Sequence, residues 1–171
     1  MSHSKAYEDY IDWVRDAHAM EEQAEAMLKK MADRLEHYPV LQEGITRHIT
    51  ETQDQQRLVK SVLDRLDTSS STFKDVAGKV AAAGQAFGGM FASDEVIKGS
   101  ISGYVFEHLE IASYTNLIAA AEAVGDLEGA KIFLQIKKQE EAMAAWLAEH
   151  SPAVTKEYLA RLDNPDQESK R

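Results

Sequence analysis

Residues 97–118 read Ile-Lys-Gly-Ser-Ile-Ser-Gly-Tyr-Val-Phe-Glu-His-Leu-Glu-Ile-Ala-Ser-Tyr-Thr-Asn-Leu-Ile, and the rhythm of this stretch decides the fold. Ile97, Ser100, Tyr104, Glu107, Ile111, Tyr114 and Ile118 recur at steps of three and four, with Glu110 on the same face. That spacing is the signature of a helical stripe that a bundle buries. Yet the middle of the stripe holds carboxylates. Stripping a lone carboxylate of water costs several kcal/mol, so a buried one must be paired, protonated or metal-bound.

Three other stretches repeat the anomaly. Val14, Ala17, Glu21, Ala24, Leu28, Met31 and Leu35 form one stripe. Leu41, Ile45, His48, Thr52, Gln55, Val59, Val62 and Leu66 form a second, with Glu51 beside His48. Phe133, Ile136, Glu140, Met143 and Leu147 form the last. Each stripe is broken near its midpoint by an acidic or imidazole group. A mid-helix position meets mid-height of a bundle whichever way the helix points, so these groups converge on one level.

Boundaries follow from capping and breaker residues. The first helix spans about 4–36 and stops at His37-Tyr38-Pro39, because Pro disfavours helix before it and starts a new one well. The second spans about 39–66, ended by the polar run 67–71. The third spans about 93–124, with Ser93 as N-cap and Asp94-Glu95 complementing the helix dipole. Gly125 closes it, and a fourth runs from Asp126 to about His150. Ser151-Pro152 then introduces a short C-terminal helix over about 153–162. Residues 67–93 form a long second-to-third connection holding a short amphipathic segment around Phe73 to Phe87. The expectation is an all-α, ferritin-like four-helix bundle with a long crossover containing a short helix. Residues 1–163 are read as a single domain and 164–171 as a charged, flexible tail.

Composition narrows the function classes. With 171 residues and no cysteine, disulfides, thiolate zinc sites and cysteine nucleophiles are excluded. A formal net charge of −10 and scattered basic residues argue against nucleic acid as a partner. No stretch has the apolar length of a membrane span, and the polar first twelve residues do not read as a secretory signal. The expected location is cytoplasmic.

The converging groups set the chemistry. Glu21, His48, Glu51, Glu107, Glu110 and Glu140 are the candidate metal ligands. Iron and manganese accept carboxylate and imidazole together, and four glutamates balance two divalent ions. His48-x-x-Glu51 and Glu107-x-x-Glu110 are i,i+3 pairs that share a face. Neither is in the Glu-x-x-His order usual for di-metal bundles, and Met143 stands where a second histidine is expected. A metal-free layer of glutamates paired with His48, Gln55 and tyrosines is the competing explanation. His18 and His108 lie off the stripes and are read as surface groups.

The segments 16–23 (Asp-Ala-His-Ala-Met-Glu-Glu-Gln), 48–52 (His-Ile-Thr-Glu-Thr) and 106–114 (Phe-Glu-His-Leu-Glu-Ile-Ala-Ser-Tyr) resemble the bacterial YciE/YciF ferritin-like family. The nearest likeness is to its YciE branch, through Ser93-Asp94-Glu95 and 98–104 (Lys-Gly-Ser-Ile-Ser-Gly-Tyr). The resemblance covers nearly the whole chain. It implies a rubrerythrin-like bundle, usually a homodimer, associated with stress responses, with a di-metal site and no assigned reaction. The six candidate ligands match that family's acidic and histidine positions. One departure stands out: the family follows its last glutamate with an Asp about a turn later, where this chain has Met143, Ala144 and Ala145. Two readings follow from this set. One is a di-iron or di-manganese protein with oxidant-scavenging, peroxidase-like redox activity. The other is a non-catalytic dimeric bundle with a metal-free polar core, acting through partners. Iron storage in a cage ranks third.

Overall fold

The structure is a computed structural model that describes residues 4–66, 95–164 and 166–169. Four helices are present among them: α1 (Lys5–Ala32), α2 (Pro39–Arg65), α3 (Glu95–Val124) and α4 (Leu127–Leu162), with no strand. The expected crossover helix around 73–87 and the Ser93 cap lie outside the described residues.

Local chemistry starts and stops these helices largely as expected. Ser4 caps α1 by accepting a hydrogen bond from the Tyr7 amide at 3.3 Å. α1 ends at Ala32, four residues short of the expected stop, because Leu35 and Tyr38 turn inward and each is 1 % exposed. Pro39 opens α2 at a position where its missing N–H costs nothing. Between α3 and α4, Gly125 takes φ +84°, a backbone conformation that side chains disfavour. The Asp126 amide then bonds back to the Ala121 carbonyl at 2.8 Å, completing a Schellman-type stop.

One boundary differs in kind. The short helix expected after Pro152 is the end of α4, which runs unbroken through Pro152 to Leu162. Proline removes one ladder hydrogen bond and crowds the preceding turn, at a cost of about 3 kcal/mol. Nearby side chains supplement that ladder. Ser151 Oγ donates to the Leu147 carbonyl at 2.6 Å, and His150 Nδ1 lies 2.8 Å from the Trp146 carbonyl. Val154 and Tyr158, both buried, draw the last turns onto the core.

Contacts between helix ends fix the topology. Arg65, at the end of α2, reaches Asp126, at the start of α4, at 2.8 Å. Tyr10, near the start of α1, donates to Asp126 Oδ2 at 2.6 Å. At the opposite end, a Cβ on Gly99 of α3 would lie 3.8 Å from Met31 of α1. Therefore α1 and α4 run one way and α2 and α3 the other. The end of α2 and the start of α3 therefore lie at opposite ends of the bundle, about 40 Å apart by the length of a 27-residue helix. This is the ferritin-like arrangement. α1 packs on α2 and α3, and α4 packs on α3 and α2. Two apolar clusters fill the interior, one with Tyr10, Val14, Val59, Val62 and Phe133, the other with Leu28, Leu35, Leu41, Ile45 and Leu147.

Candidate metal centre

Where those clusters meet, the core turns polar. His48 falls between Ile45 of one cluster and Val59 of the other, and Glu140 between Met143 and Ile136. Glu21, His48, Glu107, Glu110 and Glu140 are each at most 1 % exposed. All four helices contribute. Each helix presents its group because the residue sits on the apolar stripe, so packing that stripe carries the polar atom inward.

His48 is the hub. Its Nδ1 lies 2.9 Å from Glu51 Oε2, and its Nε2 lies 3.3 Å from both Glu107 Oε2 and Glu140 Oε2. One ligand atom from each of His48, Glu107 and Glu140 falls within 4.8 Å of the others, the spacing that lets three donors hold one ion. Glu21 Oε1 accepts a hydrogen bond from the buried Tyr114 hydroxyl. Glu140 Oε1 accepts one from Gln55 Nε2, which also reaches Gln139 Oε1 at 3.2 Å.

These bonds leave atoms over. Glu21 Oε2 and Gln55 Oε1 are buried without a hydrogen-bond partner, and Glu107 Oε2 and Glu140 Oε2 share the single His48 Nε2 at 3.3 Å. Each such acceptor costs about 1–3 kcal/mol, more when it is ionised. The electrostatics agree. Burial, with repulsion from Glu140, pushes the Glu21 carboxyl up to about 8. Burial also lifts Glu140 to about 7, although His48 pulls it down. Glu110 is raised well above the usual carboxylate range by burial and by its neighbours Glu21, Glu140 and Glu107. Burial works against the His48 imidazolium, but Glu107, Glu140 and Glu51 outweigh it and raise its pKa. Four carboxylates face one imidazole, and two divalent ions carry the charge that would balance them.

The structure brings five of the six sequence-derived candidates into the layer and places Glu51 at its edge. The Glu51 side chain is 38 % exposed. Its pKa is lowered, first by its bond to His48. A carboxylate on Nδ1 fixes the ring's orientation and points Nε2 toward Glu107 and Glu140. His108 is exposed as expected, whereas His18 is only 7 % exposed, tucked into the α1–α2 seam near Lys60 and Asp64. Sequence reasoning gave Tyr114 and Gln55 no firm role. Their signal was position: both sit on the same stripes as the carboxylates.

The family model for a "domain of unknown function (DUF892)" matches residues 5–160. A crystal structure of a protein from Xanthomonas campestris pv. campestris is 40 % identical, with 93 % of this chain and 99 % of that one covered at a TM-score of 0.78. YcfI from Rhodopseudomonas palustris matches at 24 % identity and a TM-score of 0.68, over 85 % of this chain and 94 % of its own. The Escherichia coli stress protein YciF matches at 21 % identity and a TM-score of 0.69, over 87 % of this chain and 96 % of its own. The last two likenesses show the fold.

Proposed function

Since this chain belongs to the DUF892 family, whose description assigns no activity, we propose from its polar layer that it is a ferritin-like protein holding a pair of divalent metal ions. The observation that carries the reading is a shortage of donors among buried carboxylates: Glu21 Oε2 has none, and Glu107 Oε2 and Glu140 Oε2 share the single His48 Nε2 at 3.3 Å. A layer of this composition is unfavourable as it stands and becomes favourable when cations enter. The donor set fits iron or manganese, being hard oxygen with one imidazole.

On this reading His48, Glu107 and Glu140 hold one ion, and Glu21 and Glu110 supply the donors for the second. Glu51 positions His48 by taking its Nδ1 proton in a hydrogen bond. Loading displaces the Nε2 proton and the protons that burial retains on Glu21, Glu110 and Glu140, so uptake releases acid. Tyr114 restrains Glu21, and Gln55 restrains Glu140, so each carboxylate keeps one free oxygen aimed into the layer. Met143 occupies the α4 position of the absent second histidine, and the Glu21–Glu110 side is therefore all-oxygen and the weaker of the two. An iron or manganese pair would supply one-electron redox chemistry toward oxygen or peroxide. The name of YciF as a stress protein agrees with oxidant scavenging as the role.

A metal-free layer acting through partners is the alternative. On its side stand the bonds that Tyr114, Gln55 and His48 already make to three carboxylates. Anaerobic loading with Fe(II), or loading with Mn(II), followed by gel filtration and metal analysis, separates the two. The proposal expects about two ions per chain, and loss of the ion at His48 and Glu107 in Glu140→Ala. Wild-type protein that emerges free of metal after loading would overturn it.

A further inference from the structure

A buried metal layer needs a way in, and the side chains around it differ in what they offer a cation. Among the described residues, Tyr114, Gln55 and Glu51 bond directly to members of the layer. Tyr114 and Gln55 are fully buried, whereas the Glu51 side chain is 38 % exposed and carries a charge. Its Oε2 lies 2.9 Å from His48 Nδ1, and the same ring places Nε2 3.3 Å from Glu107 and Glu140. One imidazole thus spans the distance from a solvent-facing carboxylate to the buried pair.

Other approaches are less favourable. Apolar side chains close the layer above and below, with Ile45 and Leu147 on one side and Val59 and Phe133 on the other. An ion passing through them would lose its water with nothing to replace it, at a cost of several kcal/mol. Entry is therefore lateral. On α1, Glu25 already takes Lys29 at 2.6 Å and the side-chain amides of Gln53 and Gln56, each at 2.7 Å. On α4, Glu141 faces Lys137 at 3.2 Å. On α3, no exposed position from 101 to 119 carries a carboxylate. Glu51 differs from these acids in spending its charge on the layer itself.

A cation stands at the same place. Arg47, one turn before Glu51, lies 5.8 Å over the Trp146 ring and is close enough to act on the Glu51 carboxylate. A guanidinium there repels metal ions, and Glu51 supplies the local charge that offsets it.

We propose that Glu51 is the entry group for divalent cations: it captures an ion from solvent, gives up its bond to His48, and the freed imidazole turns aside to admit the ion to Glu107 and Glu140. The inference rests on the metal reading and deepens it. It assigns Glu51 a part in the rate of loading, beyond holding His48 in place.

The test separates rate from affinity, using full-length protein and Mn(II) alone without oxygen. Association is timed by the freeze-quenched loss of the free-ion paramagnetic resonance signal, and dissociation by transfer to excess chelator. Glu51→Gln keeps an acceptor for His48 but removes the charge, so uptake is expected about 10-fold slower with release changed less than about twofold. A group that only positions His48 would give the reverse, with unchanged uptake and faster release. Arg47→Gln is expected to speed uptake about threefold, while Glu122→Gln, which removes an equal charge near the end of α3, changes it less than about twofold. Unchanged uptake in Glu51→Gln, or equal slowing in Glu122→Gln, overturns the proposal and leaves the metal site standing. Wild-type protein that takes up no Mn(II) overturns the metal reading as well.

Discussion

Two buried polar clusters among the described residues behave as opposites. Near one end, Asp126 is fully answered: Tyr10 donates at 2.6 Å, Arg65 sits at 2.8 Å, and the Gly129 amide donates at 2.9 Å. Burial would raise its carboxyl, but the Arg65, Tyr10 and Gly129 bonds hold it below the usual range. A Cβ on Gly129 would come within 2.3 Å of that carboxylate, so the glycine leaves the space the cap needs. In the middle, Glu21, Glu107, Glu110 and Glu140 have one imidazole among them: Glu107 Oε2 and Glu140 Oε2 compete for its Nε2, and Glu21 Oε2 has no partner. The first cluster holds the ends of α1, α2 and α4 together. The second has more buried acceptors than donors, which weakens the fold. The difference lies in stoichiometry of donors and acceptors as well as in depth, since Arg65 is partly exposed.

The largest effect that would sharpen this contrast is expected from Glu107→Ala combined with Glu140→Ala. Titration with Mn(II) should show uptake abolished, while chelator-treated protein unfolds in urea no more easily than wild type. Next comes Asp126→Ala, which leaves Tyr10 and Arg65 without their partner. Urea melts should record a loss of about 3 kcal/mol, reduced from the fully buried case because Arg65 is partly exposed, with metal stoichiometry unchanged. If the two variants exchanged these outcomes, the contrast would be broken.

Much of this was legible before any coordinates. Three-and-four spacing placed Glu21, His48, Glu107, Glu110 and Glu140 on buried stripes, and the mid-helix argument put them at one height. Glu51 shows where that logic stops. A step of three residues turns a helix by roughly 300°, so Glu51 stands about 60° from His48, enough to bring its carboxylate partly into solvent. How much of it the neighbouring helices cover is tertiary, and the stripe does not contain that. Pro152 is a similar case. The breaker rule is local, whereas the burial of Val154 and Tyr158 that holds α4 together is tertiary. His18 looked peripheral because its stripe is narrower than the arc that α2 covers.

The pH dependence separates the clusters next. Glu21 and Glu140 titrate at about 8 and about 7, above the ordinary value of 4.5, so the folded chain binds more protons than the unfolded one between those limits. Metal-free stability should therefore fall as pH rises from 5 to 9, by at least about 2 kcal/mol in calorimetry or urea melts. The raised His48 pKa acts in the same direction above its ordinary 6.5. Asp126 has the opposite sign: its contribution is present above 3.8 and is lost as pH falls below that. With Mn(II) bound, the slope between pH 5 and pH 8 should reverse, since ions then compete with protons. A flat metal-free profile would remove the distinction. The smallest effect is expected from Glu51→Gln, which keeps the bond to His48 but not its charge. Metal affinity should drop about 10-fold with two ions still bound at saturation.

The most direct measurement is anomalous diffraction from crystals of Mn(II)-loaded protein. The account predicts two anomalous peaks in the layer, one among His48 Nε2, Glu107 and Glu140 and one against Glu21 and Glu110. Fully loaded crystals with no peak there, and carboxyl groups hydrogen-bonded to one another instead, would contradict it.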